Sequence, residues 1–238
     1  MRTIIWWAYF WGYLIYLIPK VAKAEKMEIR SDEHKKIVKY HSRKWTNKLL
    51  DLAGANVQVF GEENLPKTNA VFISNHQGSF DITVMVAKIG AEPHGFLAKA
   101  EMEKMPIVKN WLKHLECICV ERKDSKKAMK SVIDAIKLVK SGASLTVFPE
   151  GTRSKCDKMG EFKSGGSIIA IKAGVPIVPI TIDGTYKLLE VNKRLKITPA
   201  NINITIHEPI ETKNLSKEEI QGIDEKIKEI IQSKLPTN

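Results

Sequence analysis

The chain has 238 residues, a length that suits one large domain or one domain with an appendage. Its apolar fraction of 43% is ordinary for a globular protein and excludes global disorder. Three cysteines, Cys117, Cys119 and Cys156, suggest neither a disulfide framework nor a structural zinc site at that spacing. The formal charge of +11 favours an anionic partner, such as nucleic acid, an acidic membrane surface or a phosphorylated substrate.

An uncharged, aromatic segment opens the chain. Residues 3–18 read TIIWWAYFWGYLIYLI and are flanked by Arg2 and Lys20. The run is slightly short for a bilayer-spanning helix, which needs about 20 apolar residues. Its tryptophans and tyrosines prefer the membrane interface, where an apolar ring and a polar tip both find suitable surroundings. The alternatives are a signal peptide with Ala22-Lys23-Ala24 as its cleavage site, and a buried core helix. The high aromatic content argues against the first, and tryptophans spread around the helix argue against the second.

A basic segment follows. Between Lys20 and Leu50 there are ten Lys or Arg and four Asp or Glu. The pattern from Glu33 to Leu52 predicts a helix. One broad apolar side would hold Ile37, Tyr40, Trp45, Leu49 and Leu52. Such a basic helix can lie on an anionic leaflet or pack as a solvated helix on a domain. Beside the apolar N-terminus the first interpretation is favoured, so residues 1–54 are predicted to form a membrane-associating helical segment.

From about residue 55, strand patterns alternate with helical patterns. Helices are predicted over residues 125–140 and 216–233. The second range begins with the capping-box pair Ser216 and Glu219. The alternation predicts an α/β domain over residues 55–238, a mixed and partly parallel sheet flanked by helices, with the N-terminal helices as a membrane-associated two-helix appendage. The predicted strands are VQVF (57–60), AVFIS (70–74), HGFLAK (94–99), CICVE (117–121), LTVFP (145–149), PIVPITI (176–182) and INITIH (202–207).

The first polar cluster is SNHQGSFD, residues 74–81, which follows a predicted strand. Sheets of this class place their chemistry beyond the carboxyl ends of strands. A lone histidine is usually an ordinary residue, but Asp81 could orient His76 as in the base-and-acid half of a catalytic triad. The structural alternative is a polar turn in which Ser79 or Asp81 caps a helix. No G-x-S-x-G motif is present, so the base would activate an external nucleophile such as a substrate hydroxyl.

The second cluster is FPEGTRSKCDKMGEFKSGG, residues 148–166. Gly151 permits a tight turn and close ligand approach, and Arg153 offers a planar fork of donors suited to a phosphate. Glu150 could hold that arginine or hydrogen-bond a substrate hydroxyl; the alternative is a turn with a local salt bridge. The glycines and lysine of residues 162–166, before a helix, could receive an anion. Walker A and G-x-G-x-x-G patterns are absent, which disfavours a nucleotide site.

These motifs resemble those of the glycerolipid acyltransferases. NHQGSFD (75–81) is similar to the family's His-x4-Asp motif, FPEGTRS (148–154) matches a second block, and VPIVPI (175–180) resembles its final apolar block. The resemblance covers about residues 55–210 and points to the bacterial 1-acylglycerol-3-phosphate acyltransferase branch, whose membrane-embedding helix pair the N-terminal segment resembles. Where the family often has Gly-x-x-Phe-Ile-x-Arg, the run ECICVER (116–122) keeps the arginine but lacks the glycine and phenylalanine.

The resemblance implies a membrane-associated enzyme that moves a fatty acyl group from a thioester to the free hydroxyl of lysophosphatidate, giving phosphatidate. His76 and Asp81 would be catalytic. Residues expected to bind the acceptor are Lys99, Arg122, Glu150, Gly151, Thr152 and Arg153.

The expected partners are the lysophospholipid acceptor, an acyl-CoA or acyl carrier protein donor, and an anionic membrane surface, with no nucleic acid. No metal, cofactor or acyl-enzyme is expected. The expected location is the cytoplasmic face of the cell membrane, with monotopic or peripheral attachment. The alternatives are an acyltransferase for another lyso-lipid, a thioesterase or lipid hydrolase, and a non-catalytic module that binds anionic lipid or nucleic acid.

Overall fold

The computed structural model describes residues 1–89, 94–105, 107–121, 124–163 and 165–236. Short 3-10 helices occur at Glu62–Asn64, Ala100–Lys104 and Lys193–Leu195. The longer elements, in chain order, are α1 (Arg2–Ala24), α2 (Asp32–Ala53), β1 (Ala55–Phe60), β2 (Val71–Ser74), α3 (Asp81–Lys88), β3 (His94–Lys99), α4 (Val108–His114), β4 (Ile118–Val120), α5 (Ser125–Lys140), β5 (Ser144–Val147), α6 (Gly166–Ala173), β6 (Ile177–Asp183), α7 (Tyr186–Leu189), β7 (Ala200–Ile206) and α8 (Lys217–Gln232).

The described strands form one seven-stranded sheet in the order β1-β7-β6-β2-β5-β3-β4. Strands β2 to β6 run parallel to one another, whereas β7 pairs antiparallel with β6 and parallel with β1. The carboxyl ends of β2, β3, β4, β5 and β6 therefore meet at the same edge of the sheet. The predicted mixed, partly parallel α/β sheet flanked by helices is confirmed.

The buried strands carry apolar side chains on both faces, as β2 illustrates. Phe72 joins an apolar cluster with residues of α1, α2 and α3, whereas Val71 and Ile73 join a second cluster with residues of α5, α6 and α8. Successive side chains of a strand point to opposite faces, so a continuous apolar run is what a strand covered on both sides requires. Helices therefore cover both faces and leave the strand ends open for polar loops.

Helix α1 has one buried and one exposed face. It continues through Pro19 to Ala24 and buries Leu14, Leu17 and Val21. Of its three tryptophans, the structure buries Trp6 and exposes the other two, because a single stripe of the helix meets α2 and the domain. By length and composition, α1 is the only helix of the described ranges that could cross a membrane. The exposed apolar side chains are Ile4, Ile5, Trp7, Trp11, Ile15, Tyr16 and Ile18.

The N-terminal helices share the core of the domain. The Trp6 Nε1 donates to the Leu49 carbonyl of α2 at 2.9 Å, and its ring lies 5.4 Å from that of Phe80 at the start of α3. Leu49 is buried on α2 as the apolar side predicted, but Tyr40 is 56% exposed. The inward stripe of α2 runs through Val38 instead, which places Tyr40 on the outer side.

Candidate active site

The loop after β2 is fixed to the end of β6 by two buried amides. Asn75 donates to the Ile182 carbonyl at 2.8 Å and accepts from the Ile182 amide at 2.8 Å. Gln77 accepts from the Gly184 amide at 2.8 Å. Buried polar side chains need such partners, and these bonds hold the backbone on either side of His76. The loop is therefore a rigid platform at the carboxyl edge of the sheet.

His76 and Asp81 form a hydrogen-bonded pair on this platform. His76 Nδ1 lies 2.7 Å from Asp81 Oδ2, which also accepts from the Gly78 amide at 2.9 Å. The other Asp81 oxygen accepts from the Thr185 hydroxyl, and the carboxylate is fully buried. The His76 ring stacks on Phe148 at 4.3 Å, and 14% of the side chain stays exposed. Because Nδ1 faces Asp81, Nε2 is the ring nitrogen that could accept a proton.

The FPEGTRS loop, which follows β5, is joined to the His76 loop through Glu150. The Glu150 carboxylate is buried and accepts from the His76 amide at 2.7 Å and the Gly160 amide at 2.8 Å. The Ser154 amide donates to the His76 carbonyl at 2.8 Å. Burial raises the pKa of Glu150, and the two amide hydrogen bonds oppose this shift. Glu150 thus links the two loops through their backbones, a contact that the sequence did not indicate.

Arg153 lies in the same site, and its carboxylate partner is Glu190. Arg153 Nη1 donates to the Ser79 hydroxyl and lies 3.4 Å from Glu190 Oε1. Glu190 Oε1 also accepts from the Ser79 amide at 2.7 Å and from its hydroxyl at 2.8 Å. The Arg153 side chain is 42% exposed, whereas that of Glu190 is 5% exposed. The arginine therefore rests on a buried carboxylate and presents its remaining donors to the surface.

Gly151 and Thr152 lie between Glu150 and Arg153 at the turn of the loop. Gly151 has φ of 68°, the left-handed region that favours glycine. A Cβ there would lie 3.3 Å from Lys163 Nζ, so the predicted anion-binding lysine reaches this turn. Thr152 is exposed. A small, open turn with two cations beside it suits an anionic group.

The remaining predicted binding residues come from the neighbouring strands. Lys99 ends β3 at the same sheet edge; its side chain is 60% exposed and lies 3.0 Å from Glu101. Arg122 follows β4 and lies outside the described residues. Within the described part of the chain, no group of three or more His, Cys, Asp or Glu residues could hold a metal ion.

Thr185 and Glu190 are site residues that the sequence motifs did not reveal. Both follow β6, the strand beside β2, and both contact the His76 loop across more than a hundred residues of sequence. A signal existed, because VPIVPITI leads directly into DGTYKLLE, a polar segment after a buried strand. The sheet order that brings this segment to His76 could not be read from the sequence.

A mostly parallel sheet with a His–Asp pair and an arginine at its carboxyl edge defines an α/β protein suited to activating a hydroxyl. The family model named Acyltransferase matches residues 56–183, more than half of the chain. The chain belongs to that family.

Solved and curated relatives agree with this assignment. The crystal structure of the 1-acyl-sn-glycerophosphate (LPA) acyltransferase of Thermotoga maritima matches with a TM-score of 0.81 and 30% identity, covering 98% of this chain and 95% of that chain. The 1-acyl-sn-glycerol-3-phosphate acyltransferase of Borreliella burgdorferi is 30% identical over 79% of this chain and 75% of its own length. The chloroplast enzyme of Brassica napus is 35% identical over 64% of this chain, a match that spans only 44% of the plant protein.

Replacing Glu150 by glutamine is expected to destabilise the site. The amide group of glutamine would have to face one of the two backbone amides that the carboxylate accepts, leaving a buried donor unpaired. Such a group costs about 1–3 kcal/mol of unfolding free energy. For a chain of this size, each kcal/mol lowers the melting temperature by about 2–4 °C. Thermal unfolding in detergent measures the shift. Glu161→Gln, an exposed change in the same loop, is the control, and equal melting temperatures for both variants would contradict the role of Glu150.

Proposed function

We propose that this protein transfers a fatty acyl group from a thioester, acyl-CoA or acyl carrier protein, to the free hydroxyl of lysophosphatidate, giving phosphatidate. The observation that carries the proposal is the joining of the His76–Asp81 pair and Arg153 in one site. A base that must activate a hydroxyl and a cation that can hold a phosphate are what this acceptor requires. The names of the relatives from Thermotoga maritima and Borreliella burgdorferi support the same reaction.

In the proposed mechanism, His76 Nε2 takes the proton of the acceptor hydroxyl while the oxygen attacks the thioester carbonyl. Asp81 holds the ring and stabilises the imidazolium that forms. The tetrahedral intermediate then breaks its carbon–sulfur bond, and the leaving thiolate takes the proton from His76. The products are the new ester and a free thiol, so no metal, further cofactor or acyl-enzyme is required.

The negative oxygen of the intermediate needs backbone donors. The amide of Gly78 donates to Asp81 and that of Ser79 donates to Glu190. Both amides are therefore already bonded to carboxylates, and the FPEGTRS loop is the better source of oxyanion donors.

An apolar cavity of about 200 Å³ beside the site supports an acyl-bearing substrate. It extends from Ser79 between α1, α2, α3 and α4. Its lining includes Leu14, Leu49, Ile82, Met105 and Trp111. A cavity lined mainly by hydrocarbon favours a fatty chain over water or a polar group.

A panel of acceptors and donors tests the reaction. Purified protein in mixed micelles is incubated with lysophosphatidate, other lyso-lipids or no acceptor, each with acyl-CoA and with acyl carrier protein thioester. We expect phosphatidate formation to depend on lysophosphatidate. Free fatty acid formed equally without an acceptor would instead indicate a thioesterase, ester on a different lyso-lipid would change the acceptor, and no product at all would favour a lipid-binding module.

We further propose that α1 and α2 hold the protein on the cytoplasmic face of the cell membrane without a full crossing. The outer side of α1 presents aliphatic and aromatic side chains, among them Ile15, which is 62% exposed. One surface of α2 carries Lys36, Lys39, Arg43 and Lys44 beside Tyr40. Apolar insertion together with basic contact to anionic lipid gives two attachments, which bind more firmly than one.

Substituting serine for Ile4, Trp11 and Ile15 together is expected to release the protein from anionic liposomes. Each large apolar side chain contributes about 1.5–3 kcal/mol when it leaves water. Co-sedimentation with phosphatidylglycerol-containing vesicles measures the loss. These exposed positions are preferable to deleting the helix, because α1 also supplies buried residues of the core.

The matched control replaces Met129, Ile133 and Ile220 by serine, three exposed apolar residues on α5 and α8. This control should sediment with liposomes as the unaltered protein does. Equal liposome binding by both triple variants would contradict attachment through α1.

A further inference from the structure

Glu190 is a buried carboxylate outside the family motifs, and it faces the phosphate-binding side of the proposed site. It directly follows α7, and its backbone amide donates to the Tyr186 carbonyl at 2.9 Å. Its side chain reaches Ser79 and Arg153, which belong to the two different motif loops. One oxygen thus contacts both the loop of the base and the loop of the arginine.

The packing around Glu190 leaves its charge few partners. Oε2 is buried without a hydrogen-bond partner among the described residues, and a Cβ on Gly78 would lie 2.7 Å from it. Glycine at position 78 therefore makes room for the carboxylate. A buried charge is costly unless a counter-charge compensates it, and the Arg153 guanidinium is the cation in contact.

Among the described residues, the contacts of Arg153 lie at one end of its guanidinium. The Nη1 end is engaged by Ser79 and Glu190, while 42% of the side chain remains exposed. A guanidinium has five N–H donors in a rigid fork, so the outer donors can still meet a phosphate. An arginine that is already oriented loses less side-chain entropy when it binds its ligand.

We infer that Glu190 is a positioning residue for the acceptor phosphate: through its contact with Arg153, it holds the guanidinium in the orientation that the phosphate requires. This inference rests on the proposed acyl transfer to a phosphate-bearing acceptor. The substrate does not contact Glu190, because the carboxylate lies beneath the arginine. The arginine is then shared between a permanent buried anion and the transient anion of the substrate.

The test compares Glu190→Ala and Glu190→Gln. In the alanine variant we expect the KM for lysophosphatidate to rise about tenfold or more, since a charge-assisted contact to the arginine is lost. The KM for the acyl thioester should change less than about twofold. Glutamine keeps an oxygen for Ser79 and Arg153, so it should restore most of the acceptor KM. Glu211→Ala, at an exposed position, is the matched control.

A double-variant cycle with Arg153→Ala separates positioning from general structural support. If Glu190 acts through Arg153, adding Glu190→Ala to Arg153→Ala should change the acceptor KM by less than about twofold. The same factor in both backgrounds would overturn the inference, as would equal rises in both KM values. A lower acceptor KM in Glu190→Ala would also overturn it, because it would show that the carboxylate only repels the phosphate.

A binding measurement distinguishes failure of this inference from failure of the proposed reaction. If the unaltered protein makes no phosphatidate, thermal shifts with glycerol 3-phosphate replace the kinetics. The unaltered protein and Glu190→Gln should be stabilised, and Glu190→Ala should not. Equal stabilisation of all three, or of none, would overturn the role of Glu190 whatever the reaction.

Discussion

Alanine in place of His76 is expected to lower kcat for acyl transfer by about 10²–10⁴-fold, the usual contribution of a general base. The two KM values should stay close to those of the unaltered protein, because the imidazole acts on the proton and the binding groups remain. The loop should keep its shape. Its links to Glu150 and Ser154 use the His76 backbone, and Asp81 keeps Gly78 and Thr185 as partners.

Initial rates of phosphatidate formation measure this loss, with circular dichroism and thermal unfolding as checks on the fold. His207→Ala is the matched control. His207 directly follows β7, and its partly buried imidazole contacts Thr181 of β6 and not the His76–Asp81 pair. Turnover of His76→Ala within about threefold of the unaltered protein would contradict the role of a general base.

Arg153→Ala is expected to raise the KM for lysophosphatidate and to lower kcat/KM by about 10²–10³-fold, since each hydrogen bond to a charged group contributes about 1.5–3 kcal/mol. Arg153→Lys keeps the charge without the planar fork, so its kcat/KM should lie between that of the unaltered protein and that of Arg153→Ala. The alanine variant also leaves the buried Glu190 carboxylate without its cation, so its melting temperature should fall as well.

A comparison of two acceptors that differ only in the phosphate separates the loss of phosphate binding from the lower stability of Arg153→Ala. Monoacylglycerol has the hydroxyl but no phosphate, so acyl transfer to it should be slow. The rate of that transfer should be the same in Arg153→Ala as in the unaltered protein. Lys213→Ala, an exposed lysine far along the chain, is the control for lost positive charge. Unchanged kinetics with lysophosphatidate, or an equal loss with both acceptors, would refute phosphate binding by Arg153.

The helices and strands could be predicted from the sequence where the spacing of apolar residues fits only one of the two structures. Helix α5 has its predicted bounds, and each predicted strand overlaps an observed one. The motifs then follow β2 and β5, as the rule for parallel sheets requires. A spacing of five residues was also enough to suggest the His76–Asp81 pair, because a short turn into α3 can close it.

The contacts between the loops of the site could not be predicted from the sequence, because they depend on the order of the strands in the sheet. Glu150 and Arg153 are near neighbours in sequence and suggest a local ion pair, yet the end of β5 lies beside β2 and turns Glu150 towards the His76 amide. Arg153 then meets Glu190, which only the neighbouring strand β6 can deliver. Long-range contacts of this kind leave no periodic trace in one sequence.

The contact between Trp6 and Phe80 joins α1, the proposed membrane-attachment helix, to the loop that carries His76 and Asp81. Phe80 directly precedes Asp81, so the helix that would rest in the leaflet touches the segment that carries the carboxylate partner of His76. If α1 rests in the leaflet as proposed, its packing into the core of the domain would hold the site at one depth relative to the lipid headgroups. The lyso-lipid acceptor would then arrive by diffusion in two dimensions, so its surface density in the leaflet, rather than its bulk concentration, would set how often it reaches the site.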